Sequence, residues 1–149
     1  MRVVVQRVSR AAVSVNGQRM AAIEHGLVVL LGVWHMDTTE DATQLARKIA
    51  HLRIFDEAEG KLNRSILEVR GSMLVISQFT LYADSRKGRR PSFVDSARPE
   101  AAKPLYEVFV AEVRRQGVPV MTGEFQALMD VELVNRGPVT IILDSQQLS

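Results

Sequence analysis

Ser77-Gln78-Phe79-Thr80 places two hydroxyls and an amide where the apolar run Met73-Leu74-Val75-Ile76 ends, a position from which polar groups can face a substrate. Ser77 or Thr80 could serve as a nucleophile, but an alcohol needs a base to activate it, and neither stands in a Gly-x-Ser-x-Gly elbow. The competing reading has both hydroxyls bonding backbone at a strand end. A second cluster, Asn135-Arg136-Gly137-Pro138-Val139-Thr140, lies between two apolar runs that both read as strands. Proline donates no ladder hydrogen bond, so Gly-Pro there marks an edge turn, a bulge or a special bend. X-Pro is also the linkage in which the cis form costs only about 0.5 to 1 kcal/mol, so a fold can use it to point two carbonyls one way. Such geometry suits a site made of backbone atoms. His25, His35 and His51 have no partner at metal-ligand spacing, and the chain has no cysteine to complete a zinc site. No metal or other cofactor is expected.

Charge is local. The chain carries 19 Lys plus Arg against 17 Asp plus Glu, a net +2. Arg86, Lys87, Arg89 and Arg90 supply four of the positive charges, leaving 15 against 17 elsewhere. A basic patch on a nearly neutral body suits contact with a phosphate backbone at one place. The ordinary fate of such a run is a solvated loop. Asp84 and Asp95 flank it, where structural ion pairs are the expected role.

The elements that must position these groups follow from periodicity. A chain of 149 residues with 46% hydrophobic and 24% charged content is expected to form one globular domain over residues 1–149. The apolar stretch Leu27 to Trp34 is far short of the roughly 20 residues of a membrane helix, and the first residues do not read as a secretory signal. A cysteine-free chain fits a reducing compartment, so the cytoplasm is the expected location. Arg2 to Val8 and Ala11 to Val15 read as strands, Asn16-Gly17 as a hairpin turn, Gln18 to Ile23 and Leu27 to Val33 as the next strands of a meander. Asp37, Thr38 and Thr39 offer N-caps to a helix from about Glu40 to Arg53. Asp56 to Ser65 reads as loop and Ser72 to Phe79 as a strand buried on both faces. Pro99 and Gly117 frame a second helix, Glu100 to Gln116. Val118 to Met121, Met129 to Val134 and Val139 to Leu143 complete the strands, and Gln146 to Ser149 should fray. The expected fold is α/β of the α+β type, two main helices against a largely antiparallel or mixed, barrel-like sheet.

Together with the opening Met1-Arg2-Val3-Val4-Val5-Gln6-Arg7-Val8, with Leu52-Arg53-Ile54-Phe55 and with Gly88-Arg89-Arg90-Pro91-Ser92-Phe93, the two polar clusters resemble the D-aminoacyl-tRNA deacylases of the bacterial and eukaryotic type. The resemblance runs over essentially the whole chain. It implies hydrolysis of the ester joining a D-amino acid, or mischarged glycine, to the terminal adenosine of tRNA. The adenosine would sit near Ser77 to Thr80, and the ribose 2′-hydroxyl would assist the water. It implies a homodimer in which a cis Gly137-Pro138 loop enters the partner's active site and blocks an L side chain, with Arg7 and Asn135 supporting that loop. Phe125 and Met129 match positions near the pocket, although core packing accounts for both equally well. Arg86, Lys87, Arg89 and Arg90 would then contact tRNA phosphates. A binding module without turnover and a small-molecule esterase using Thr80 or Ser77 are the rival readings.

Overall fold

The computed structural model describes residues 1–148. Strand β1, Arg2–Val15, is the spine of the sheet. Along one side it pairs with β8, Asp130–Asp144. Along the other, its first half pairs antiparallel with β3, Gly26–Gly32, and its second half with β2, Gln18–Ile23. The meander expected from the turn signals is therefore incorrect: β2 and β3 share β1 as partner, because β1 is long enough to serve both. Beyond β3 the sheet turns parallel, to β6, Ser72–Ser77, and β7, Val120–Thr122. The result is a single α+β domain with a nearly closed, barrel-like mixed sheet and two helices.

Local chemistry explains most element ends. Asn16 and Gly17 take positive φ values of 52° and 76°, the geometry of a type I′ hairpin turn. Helix α1, Thr39–Ala50, starts at a capping box in which Thr38 and Asp41 bond reciprocally. It stops before Arg53, where the Leu52 N–H turns back to the Ile49 carbonyl at 3.2 Å in a tightened last turn. Helix α2, Pro99–Arg115, has Pro99 in its first turn. The segment expected to be loop after Asp56 folds partly into a small hairpin of β4, Phe55–Asp56, and β5, Leu62–Arg64.

The two faces of the central strands bury separate cores. Leu27, Val29, Leu31, Met73 and Val75 meet Leu45, Ile49, Phe109 and Val113 of the helices. Val28, Leu74 and Ile76 point the other way and join Val8, Val13 and Ile23 inside the barrel. Alternate residues of β3 and β6 thus face opposite cores, which is why these strands read as unbroken apolar runs. Residues 146–148 are held rather than frayed as expected: Ser145–Gln147 forms a 3-10 turn, and the Ser145 N–H donates to the Met1 carbonyl at 2.8 Å. Leu148 packs on the core, and Ser149 lies outside the described residues.

Candidate active site

β6 ends at Ser77, and a single 3-10 turn, Phe79–Tyr82, follows. The strand expected to reach Phe79 stops earlier because the Gln78 N–H donates to Leu31 and the Gln78 carbonyl accepts from Leu81, closing the turn. The amides of Phe79 and Thr80 head this turn. The first N–H groups of a helical turn have no partner within it. Gln78 caps neither, and among the described residues no other group accepts from them. The Gln78 side-chain amide donates instead to the Thr80 hydroxyl.

Several contacts hold the turn in place. Gly32, at the end of β3, lies beneath it: a Cβ there would stand 3.1 Å from the Gln78 carbonyl oxygen and 3.0 Å from the Leu81 Cβ. From the side, Arg2 donates through Nη1 to the Leu81 carbonyl at 3.1 Å and sits over the Tyr82 ring at 4.8 Å. Its Nε and Nη2 clamp Asp144 at 3.1 and 3.0 Å. The Ser96 Oγ donates to the Phe79 carbonyl at 2.7 Å. Gly32, Arg2 and Ser96 escaped the sequence reading. Only an arginine among the alternating apolar residues of β1 hinted at a specific partner.

A cleft of about 470 Å³ opens beside the turn. Ser77, Gln78 and Phe79 line one wall, and Phe125, Leu128 and Met129 another. Phe125 is set by Tyr106, 5.8 Å away between ring centroids. The Tyr106 hydroxyl is fixed by donation to the Val75 carbonyl at 2.8 Å, and burial pushes its pKa up to about 12. The lining contains Ser, Gln, backbone and apolar groups, and among the described residues no Asp, Glu, His, Lys or Arg. Such a cleft has room for an ester, with the free Phe79 and Thr80 amides in the turn beside it, but among the described residues no side-chain base to activate Ser77. The histidines lie elsewhere, His25 against Phe55, His35 against Trp34 and His51 on Gln116.

The other cluster sits across from Arg7. Gln6 pairs with Thr140 and Val8 with Asn135, so Arg136 to Val139 bulge opposite that one residue. What the sequence presents as two strands is one, β8, interrupted by this bulge. The Gly137-Pro138 bond is cis, and Gly137 has φ +146°. Arg7 is only 7% exposed rather than a surface strand residue, and it ties three segments. Its Nε donates to the Arg136 carbonyl at 2.8 Å, and its Nη1 donates to the Ile54 carbonyl at 3.0 Å and to Asp56 at 3.2 Å. Asn135 closes the bulge by accepting from the Val139 N–H at 2.8 Å and donating to the Val139 carbonyl at 3.1 Å. Gly137 and Pro138 are exposed and do not line the cleft of their own chain.

The basic loop is a closed excursion. Asp84 and Ser92 exchange backbone hydrogen bonds at 2.8 Å in both directions. Arg86 folds back onto Asp84 at 2.7 Å, and the guanidinium holds the carboxylate pKa down to about 2. Lys87, Arg89 and Arg90 are exposed and, among the described residues, without ion pairs. Asp95, expected to pair with the loop, instead accepts the His35 N–H through its carbonyl at 3.1 Å.

A barrel-like domain with a cleft lined by apolar and neutral polar residues and, among the described residues, by no charged one is therefore the class of protein in hand. Its residues 4–144 match the model of the D-Tyr-tRNA(Tyr) deacylase family. A D-aminoacyl-tRNA deacylase of Thermus aquaticus is 56% identical over 147 residues, covering 99% of this chain and 97% of that one. One of Chloroflexus aurantiacus is 57% identical over 148 residues, covering 99% and 92%. Among solved structures, the c-Myc DNA Unwinding Element Binding Protein superposes with TM-score 0.92 at 39% identity, over 97% of this chain and 98% of that one. A probable eukaryotic D-amino acid tRNA deacylase shares the fold, with TM-score 0.82 at 19% identity over 95% and 97%. The chain belongs to the D-Tyr-tRNA(Tyr) deacylase family.

Proposed function

We infer that the protein is a D-aminoacyl-tRNA deacylase, an ester hydrolase acting on D-aminoacyl-tRNA, and that it also clears glycine from mischarged tRNA. The observation that carries the mechanistic reading is the cleft beside Ser77 to Phe79, which has neutral lining and unclaimed amides in the adjoining turn but, among the described residues, no acid, base or metal-ligand cluster. In this reading the terminal adenosine and its aminoacyl group occupy the cleft. Water attacks the ester carbonyl, the carbonyl to ribose-oxygen bond breaks, and the departing 3′ oxygen takes a proton. The amides of Phe79 and Thr80 meet the developing oxyanion, a role in which loss of one donor costs about a hundredfold to a thousandfold. The substrate's own 2′-hydroxyl assists the water.

Selection against L substrates is assigned to the Gly137-Pro138 bulge of a second copy. The bulge is exposed, is braced from behind by Arg7 and Asn135, and lies outside the cleft of its own chain. Its carbonyls would meet the amino group and occupy the space of an L side chain, whereas glycine has no side chain to exclude. A homodimer follows, supported by exposed Leu128, Val134 and Ile142 near and along β8. A cytoplasmic location fits a tRNA substrate; among the described residues no helix is long and apolar enough to cross a membrane. Nucleic-acid binding without turnover is the second reading, favoured by the unpaired cations of the basic loop and by the 39% identity to a protein named for binding a DNA unwinding element. Deacylation of D-tyrosyl-tRNA beside L-tyrosyl-tRNA decides between them. Release from the D form alone is expected, and binding of both with release from neither would leave only the second reading.

A further inference from the structure

Phe79 and Phe93 stand edge to face, ring centroids 5.1 Å apart at 64°, yet they remain 57% and 39% exposed. Phe79 lines the cleft, so the pair begins at the cleft mouth and leads away from it. Where it leads is fixed by backbone. The Asp84 and Ser92 pairing closes the basic loop one residue before Phe93, and the Ser96 N–H donates to the Phe93 carbonyl at 3.1 Å while its Oγ holds Phe79. Cleft, aromatic pair and unpaired Lys87, Arg89 and Arg90 are thus joined through one short segment. Open aromatic faces beside free cations are what proteins use to bind single-stranded nucleic acid. Charge also selects the occupant, since a cationic loop suits a polyanion better than a second copy of a chain with net charge +2.

We propose that Phe93, flanked by Phe79, is a stacking platform for the base of the nucleotide preceding the terminal adenosine in a single-stranded RNA 3′ end. Lys87, Arg89 and Arg90 take the phosphates behind that base. The platform rests on the deacylase reading, because it presupposes the terminal adenosine in the cleft.

The test compares kcat/KM on D-tyrosyl-adenosine, which lacks the preceding nucleotide, with kcat/KM on the trinucleotide CCA carrying D-tyrosine at its 3′ end. The parent should favour the trinucleotide. In Phe93→Ala the ratio should fall about tenfold, while Phe93→Trp, which keeps a stacking face, should hold it. An unchanged ratio in Phe93→Ala overturns the platform alone. Equal loss on both substrates, with the dimer dissociating in sedimentation, would overturn it by assigning Phe93 to a contact between copies. A parent inert on both, and on D-tyrosyl-tRNA as well, would remove the deacylase reading and the platform with it, whereas a parent that acts on D-tyrosyl-tRNA but gains nothing from the trinucleotide over D-tyrosyl-adenosine overturns the platform alone.

Discussion

The Arg2 guanidinium donates to the Leu81 carbonyl at 3.1 Å, so the turn that heads the cleft is held from a strand far away in sequence. The same side chain lies over Tyr82 and clamps Asp144, which orients it from two further directions. Arg2→Met should release the turn and lower kcat about tenfold with a smaller change in KM, since a hydrogen bond from a charged donor is lost outside the substrate contact. Arg2→Lys should recover only part, because one ammonium cannot reproduce the fork on Asp144. Steady-state kinetics beside a melting curve checks this. A fall in melting temperature with kcat unchanged would mean that Arg2 serves stability only.

Ser77→Ala and Thr80→Ala should each leave substantial deacylation, since among the described residues the cleft offers Ser77 no base, and the Thr80 hydroxyl, outside that lining, has the Gln78 side-chain amide rather than a base as its partner. Removing a nucleophile in a serine hydrolase costs on the order of a million-fold. A substrate with 2′-deoxyadenosine at its end and D-tyrosine on the 3′ oxygen should be hydrolysed very poorly. Complete loss in Thr80→Ala with normal turnover of the deoxy substrate would restore a side-chain nucleophile.

Gly137→Ala puts a Cβ 2.9 Å from the Val139 N–H nitrogen and 3.1 Å from the Arg7 guanidinium, at a φ of +146° that L side chains rarely adopt. The bulge must shift. Displacement of that size should lower D-tyrosyl-tRNA turnover by on the order of tenfold to a hundredfold, or admit the L substrate. Parental turnover with L-tyrosyl-tRNA still refused would reduce the motif to a turn.

Replacing Arg89 and Arg90 with Ala should weaken tRNA binding and lower the slope of log affinity against log salt by about 1.5 to 2. Arg86 is the poorer choice for this experiment, because Asp84 already neutralises it. Filter binding across a salt series reads the slope, and parental values would exclude the loop from the contact.

Glu112 is a buried carboxylate between Arg47, at 2.8 Å, and Arg115, at 2.7 Å. Its hydrogen bonds to Arg115 and then Arg47 hold its pKa down to about 2, below the ordinary 4.5. A depressed acid stabilises the fold above its unfolded pKa and loses that contribution as pH falls through the folded value. Stability should therefore decline between about pH 5 and 2. Glu112→Gln should be less stable at neutral pH and show a shallower acid decline in urea titrations at stepped pH. An identical pH slope would deny Glu112 that role.

Features that depend on neighbours in sequence were the legible ones. Asn16-Gly17, the capping residues before α1 and the doubly buried Met73 to Ile76 carry their cause within a few residues. The tail near Ser145 and the sharing of β1 by β2 and β3 depend on partners far along the chain, so composition and periodicity could not reveal them. Asn135 to Thr140 stood out by its Gly-Pro, but that one strand runs through it is set by β1 across the ladder. The positions of Ser77 to Phe79 and of Phe125 and Met129 in one cleft rested on the family resemblance rather than on spacing.

Gly32 beneath the turn has a consequence for how the protein tolerates change. A saturation library should tolerate apolar exchange at Phe125, Leu128 and Met129, since these walls of the cleft supply shape and apolar surface rather than a reacting group. Intolerance should instead concentrate one layer behind, where Gly32→Ala would push on Gln78 and Leu81 from below. Drawn on the surface, the map of damaging substitutions would be paler over those cleft walls than in the layer hidden underneath the turn.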